Sequence, residues 1–294
     1  MAVVLDQRDL AVLDQQVAPE ASQVWDLLGA GATDVTDADF VGVKEVRVNK
    51  MTGFTSADYT RNGDNARTQL SVAKETVQLT HEDWFAYDFD QLDEGENGAL
   101  TIANATTQQR RLVTFPNKDK VAVKAMTDNA TTDGTVSQVI TPANALSAYD
   151  DAEQYMTDLG AQGPFILFAS SDYYKALKQD TSTSHSFTVN ETANINGIDR
   201  RVGMLDGAVP VKQVAKDRLQ VVAGKHINFI LVPVNAVKPI TKLGTIDLIG
   251  AAQDRNGYRD TLKGLDYYDA IILDNAKKVI YVSETTVTEK VQEG

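Results

Sequence analysis

The chain contains no cysteine, which removes disulfides, cysteine-based zinc sites and thiol nucleophiles together. Histidine is almost as scarce. His81, His185 and His226 stand far apart, without the His-x-His or His-Glu-x-x-His spacing that builds a metal centre. No Gly-x-Ser-x-Gly elbow and no Gly-x-x-x-x-Gly-Lys-[Ser/Thr] phosphate loop occurs. The run Gly29-Ala-Gly-Ala-Thr-Asp34 lacks a third glycine and follows no strand, so it carries no dinucleotide fingerprint. No apolar run approaches the roughly eighteen residues of a membrane helix. No basic stretch leads into an apolar one near Met1, so neither a membrane span nor a secretory leader is expected. The expectation is a protein without catalytic residues, cofactor or metal.

What is present is a sizeable core and an uneven charge. The 294 residues are 43% hydrophobic and 23% charged, enough for one elaborate domain or two ordinary ones. Asp and Glu number 41 against 28 Lys and Arg, a net charge of −13. Residues 1–40 carry −7, residues 41–80 carry +2, and residues 81–100 carry −7 again. An acidic chain does not attract nucleic acid through its average field. The acidic–basic–acidic order suggests instead that segments of opposite charge meet across chains, against the plainer reading of solvated faces.

The order of elements follows from pattern and punctuation. Leu10, Leu13, Val17, Val24, Leu27 and Leu28 give helical patches broken by Pro19, an arm that needs a surface to lie on. Val41–Val48 and Leu70–Leu79 read as the strands of a long β-hairpin with a turn-rich tip at 52–64. Neither strand has a clean apolar face, so the ribbon also needs support from elsewhere. Residues 97–127 predict a long helix, kinked or restarted at Pro116. Residues 128–140 predict a loop. Thr141 and Pro142 then offer a helix start, with Leu146, Tyr149, Ala152, Met156 and Leu159 as one stripe before Gly160. Residues 164–169 predict a buried strand, followed by a short helix capped by Ser170 or Ser171. Alternation continues through 209–214, 219–222 and 229–234, an α/β pattern. Strands are expected at 246–249, 267–273 and 278–282, the last returning to a sheet beside the long helix.

Candidate contact residues come from this pattern. Phe54, Tyr59, Arg61 and Arg67 interleave rings and cations at the hairpin tip, a weak signal for stacking on single strands. Trp25 lies in the arm. Arg110 and Arg111 on the long helix can meet an acidic neighbour or remain solvated. Asp88 and Asp90 open the acidic run 88–96, which fails as a calcium loop because Leu92 takes the fifth ligand position and Asp93 stands where glycine belongs. Tyr267-Tyr268-Asp269 opens an apolar run and reads as core.

The junction Tyr87-Asp-Phe-Asp-Gln-Leu-Asp-Glu94, the segment Gln109-Arg-Arg-Leu-Val-Thr-Phe-Pro-Asn-Lys-Asp119 and the run from Tyr267 through Val282 occur in a telling order. With the arm and hairpin before them, the chain resembles the major capsid proteins of tailed bacteriophages, the Hong Kong 97-type fold. The resemblance implies an α+β fold: an N-terminal arm (1–40), an extended loop (41–86), a peripheral domain with a long spine helix (87–140 and 235–294) and an axial α/β domain (141–234). It also implies self-assembly as hexamers and pentamers into an icosahedral shell of the virion, assembled in the host bacterial cytoplasm and enclosing double-stranded DNA without sequence-specific binding. Portal and scaffolding proteins, and a decoration protein, are the implied partners. With only a short arm after Met1, the scaffold is expected to be separate or absent. Members that crosslink join a loop lysine to an asparagine; Lys50 or Lys74 with Asn256 or Asn275 would fill those roles, though nothing singles them out.

Other readings are kept open. An encapsulin-type nanocompartment shell resembles the same fold. An acidic intracellular α/β enzyme would use carboxylates such as Asp88 and Asp90. A tail or head-decoration protein would form rings or trimers.

Overall fold

The computed structural model describes residues 18–29, 35–40, 42–90, 102–180, 187–195, 198–205, 208–253 and 257–286; of 187–202 only the backbone is described. The expected stretch 1–17 and the end of the acidic run, 91–101, lie outside them. Mixed helix and sheet are arranged around three β-sheets.

The hairpin comes first along the chain among the strands. Strands β1 (Glu45–Thr52) and β2 (Ser71–Gln78) pair antiparallel, Val46 opposite Val77 and Met51 opposite Val72. The extended segment expected over 41–86 is shorter than its allotted range. It gives way at His81 to β3 (His81–Asp90), whose alternating side chains suit a half-covered sheet.

Between β3 and the next sheet runs the spine: α1 (Ile102–Gln109), a wide π turn at Arg110–Thr114, and α2 (Phe115–Asn129). Pro116 has no N–H to give the carbonyl four residues back, and its ring crowds that carbonyl. The wide turn directly upstream takes up the misfit, so the helix is interrupted but continues. The expected loop at 128–140 contains a short strand, β4 (Thr135–Ser137).

The helix α3 (Ala145–Asp158) starts later than Thr141 and Pro142 predict, because Asn144 is its cap residue and Thr141 closes a turn by donating its N–H to Asn144 Oδ1 at 2.7 Å. Leu146, Tyr149, Ala152 and Met156 are buried as the stripe requires, whereas Leu159 is exposed beyond the last turn. β5 (Phe165–Ala169) and α4 (Ser171–Gln179) follow, and Ser170 Oγ caps α4 by accepting from Tyr173 N at 3.2 Å. Then come β6 (Phe187–Ile195), β7 (Ile198–Leu205), β8 (Val209–Gln213), the single turn α5 (Lys216–Leu219) and β9 (Lys225–Pro233). Residues 219–222, expected as strand, lead out of that turn instead.

The chain closes with β10 (Val237–Ile249), β11 (Arg259–Ile272) and β12 (Tyr281–Thr286). β10 runs straight through Pro239, which a sheet tolerates at an edge, and among the described strands β10 pairs with β11 alone.

The large sheet has the order β4-β12-β9-β5-β8-β7-β6, and β10-β11-β3 form a second sheet. So β4 and β12, which come from the segments 87–140 and 235–294, join the same sheet as β5 to β9. This large sheet separates two cores. Ile166 and Phe168 of β5 face a cluster with Val123, Met126 and Ile230, while Leu167 and Ala169 face one with Tyr149, Tyr173 and Phe229. Burial on both faces is why β5 and the 229–232 stretch of β9 are unbroken apolar runs.

Candidate subunit-contact surface

The arm finds its surface on its own chain. Asp119 of α2 is fully buried, and its carboxylate accepts from Ser22 Oγ at 2.5 Å, Gln23 N at 2.8 Å, Val24 N at 2.9 Å and Trp25 N at 3.0 Å. Arg218 Nη1 of α5 donates to the same carboxylate at 2.7 Å and to Ala21 O at 3.2 Å. Arg111 reaches Ala18 O through Nε and Nη2, each at 3.1 Å. Trp25, offered by its size as a contact for another subunit, is 8% exposed. It meets Tyr268 edge-on at 5.5 Å, with Lys118 Nζ 5.9 Å from its ring, so it is a core residue of this chain.

The hairpin behaves differently. At its root, Val46, Val48, Val77 and Leu79 pack with Val35, Phe40, Ile240, Tyr267 and Ile271. Asp274 ties the root further: its N–H donates to Glu75 Oε1 at 2.8 Å, and its carboxylate lies 3.8 Å from Lys50 Nζ. The hydrogen bond from Lys277 holds the Asp274 carboxyl below its ordinary pKa, with Lys50 adding to the effect. Lys50 therefore faces Asp274 within the chain, and Asn256 lies outside the described residues. At the neighbouring strand, Lys44 donates to Glu82, which raises the lysine pKa.

Beyond the root every residue from Met51 to Lys74 is exposed. Gly53 turns the chain at φ +99°, and Asn62 takes the left-handed conformation at φ 59° within the tip. Phe54 is 70% and Tyr59 78% exposed, with Arg61 and Arg67 open beside them. A two-stranded ribbon of this kind has no buried face of its own.

The remaining candidates scatter. Asp88 accepts from Thr261 Oγ1 at 2.6 Å and lies 3.8 Å from Arg259 Nη1, on an open sheet face and not in a closed pocket. Asp90 ends the same strand, half-buried, and Arg110 is exposed on the π turn. His81 sits 3.4 Å from Asp269 Oδ2, His226 sits 3.5 Å from Asp172 Oδ2, and His185 lies outside the described residues. Among the described residues no group of three His, Asp or Glu converges on a metal position, and no helix is long and apolar enough to cross a membrane. Tyr267 and Tyr268 are core, and burial together with a 2.6 Å hydrogen bond to Asp83 raises the Tyr268 pKa well above the usual phenol range. Asp119, Arg218 and Trp84 escaped the sequence reading. The alternation of 81–90 could have marked Trp84 as a strand residue, but nothing local links Asp119 to Arg218.

No protein-family model matches the sequence, and no curated protein matches it. Solved structures do. The capsid of the cyanophage P-SCSP1u aligns with a TM-score of 0.69 at 12% identity, covering 97% of this chain and 94% of that one. The fold is that of a phage capsid subunit, the Hong Kong 97 type. The mature capsid of bacteriophage PhiM1 aligns with this capsid-type chain at a TM-score of 0.64 and 14% identity, covering 98% and 93%. A virus-like particle from Pyrococcus furiosus aligns at 0.50 and 11% identity, covering 90% and 92%. Among the described residues, the hairpin stretch from Met51 to Lys74 is the longest that is exposed throughout.

Proposed function

We propose that this chain is the major capsid protein of a tailed double-stranded DNA bacteriophage. Hexamers and pentamers of it would close into an icosahedral shell around the genome. The reading is carried by an unsupported ribbon, exposed from Met51 to Lys74, on a body whose fold runs end to end with phage capsids. Such a ribbon gains its buried area from a neighbour.

The sheet divisions support a domain assignment. The large sheet with α3 and α4 serves as the axial domain, and β4 and β12 enter it from the flanking segments. The spine with β10-β11-β3 serves as the peripheral domain, and 45–78 as the extended loop. The chain acts without catalysis, and portal, scaffolding and decoration proteins are its expected partners in the virion. DNA inside would be enclosed without being gripped, since a chain of net charge −13 supplies little phosphate attraction.

The nanocompartment reading draws on the Pyrococcus furiosus particle, which aligns less well than the phage capsids. Electron microscopy and size-exclusion chromatography of the expressed chain, with scaffold supplied, decide the matter. Hollow icosahedral particles or capsomers support a shell protein. A persistent 32.0 kDa monomer overturns it. Packaging of DNA against protein cargo then separates the two shells.

A further inference from the structure

The turn at the end of the hairpin is braced by a single side chain. Asn65 Oδ1 accepts from Thr60 N at 2.8 Å, and Asn65 Nδ2 donates to Thr60 O at 3.3 Å and to Gly63 O at 3.4 Å. The brace restricts what can stand inside it. Asn62 takes the left-handed conformation at φ 59°, which asparagine tolerates better than most residues that carry a side chain. Gly63 follows it because a Cβ there would press on Thr60 Cγ2 at 3.0 Å. The turn therefore calls for asparagine and then glycine.

That order sets a reactive pair on the surface. The side-chain amide of Asn62 stands one residue ahead of a backbone nitrogen whose approach no Cβ obstructs. Among the described residues nothing hydrogen-bonds the Asn62 side chain, and both residues are open to water. Asn65 differs on each count. Both atoms of its amide are engaged in the brace, and Ala66 comes next.

We infer that Asn62 is a site of spontaneous deamidation. The Gly63 nitrogen attacks Asn62 Cγ and closes a succinimide ring. The Cγ–Nδ2 bond breaks, and Nδ2 leaves as ammonia with the proton given up by the Gly63 nitrogen. Water then opens the ring. Cutting the bond to Cγ gives aspartate; cutting the bond to the backbone carbonyl gives isoaspartate, whose main chain is one carbon longer. The balance is one water consumed and one ammonia released, with no change of oxidation state. Either product adds a carboxylate to the tip. Across residues 52–68 Arg61 and Arg67 balance Asp58 and Asp64, so conversion turns a formally neutral tip acidic. The step needs neither an enzyme nor a second chain, and it stands apart from the capsid reading.

The sequence supplies an internal control, because Asn62–Arg67 is one tryptic peptide that carries both asparagines. Folded subunits are incubated at neutral and at mildly alkaline pH, digested, and read by fragment mass spectrometry, with a sample digested at time zero to subtract conversion during digestion. Asn62 is expected to convert progressively to the acid, faster at the higher pH because the attacking nitrogen must lose its proton. Asn65 is expected to keep its amide. Isoaspartate is expected alongside aspartate at position 62, the mark of the ring. Asn62→Gly, which suits the left-handed turn, is expected to leave the peptide without any acid product. Asn97-Gly98, Asn196-Gly197 and Asn256-Gly257 repeat the pair outside the described residues and fall in other peptides, so they do not confuse the reading. An Asn62 as stable as Asn65 overturns the inference. So does conversion of Asn65 ahead of Asn62, or an acid at 62 that contains no isoaspartate.

Discussion

Arg218 Nη1 and Asp119 Oδ2 stand 2.7 Å apart with both side chains sealed from solvent, and the main chain of residues 23–25 shares that carboxylate. One acidic side chain therefore fastens three parts of the chain: the arm, the spine and the turn α5. Removing it leaves the guanidinium buried and uncompensated. Asp119→Ala is expected to lower stability by about 3–5 kcal/mol, read from urea unfolding, and to speed proteolysis within residues 18–29. The double variant Asp119→Ala/Arg218→Ala should lose clearly less than the sum of the single changes. Additive losses would mean that the two groups do not act as a pair.

Deleting the hairpin tip, residues 52–66, should leave the body intact, because that tip is exposed and the root contacts remain. Circular dichroism and the unfolding midpoint should match the wild type. Assembly should fail. Normal shells from this variant would remove the ribbon from the contact surface.

Gly264 lies directly opposite Phe85, and a Cβ added there would overlap the Phe85 ring. Gly264→Ala is expected to cost about 1–3 kcal/mol through overpacking. Phe85→Ala in the same chain should recover part of that loss. An unchanged unfolding midpoint in Gly264→Ala would show that the ring simply moves aside.

Three buried tyrosines set the alkaline limit. Burial raises the Tyr173 and Tyr268 hydroxyls, and it pushes Tyr281 up to about 12, with a smaller push from Asp151. The unfolded phenol ionises near 10, so the folded state holds protons that the unfolded state releases. Stability is therefore full below about pH 10 and falls as pH rises toward 12. Tyrosinate absorbance should rise in two stages, Tyr173, Tyr268 and Tyr281 in the later one together with loss of ellipticity. A single smooth titration of all ten tyrosines, with ellipticity retained, would contradict this.

Local signals in the sequence found elements well and partners poorly. The stripe Leu146–Met156 and the Ser170 cap are legible because helix period and cap chemistry act within a few residues. The apolar run 165–169 is legible as a strand, but not that its alternate residues enter two cores. Pairing across 147 residues, as between Thr135 and Val282, is not written locally, so β12 could not be placed beside β4 in advance. The hairpin tip residues were readable for the same reason that they are exposed: no apolar alternation demands a home. Trp25 misled because size and hydrophobicity say that a ring will be buried, not in which chain.

The position of β12 has a consequence in time. The strand made last among those described, Tyr281–Thr286, lies inside the large sheet, between β4 and β9. While the chain is being synthesised, β4 and β9 emerge with the gap between them still empty. The backbone N–H and C=O groups along that gap stay unpaired until residue 286 has been added and has left the ribosome. A nascent subunit thus cannot complete its body early, however long its hairpin has been free to fold. On the capsid proposal, translation itself would delay the moment at which a subunit becomes competent to join others.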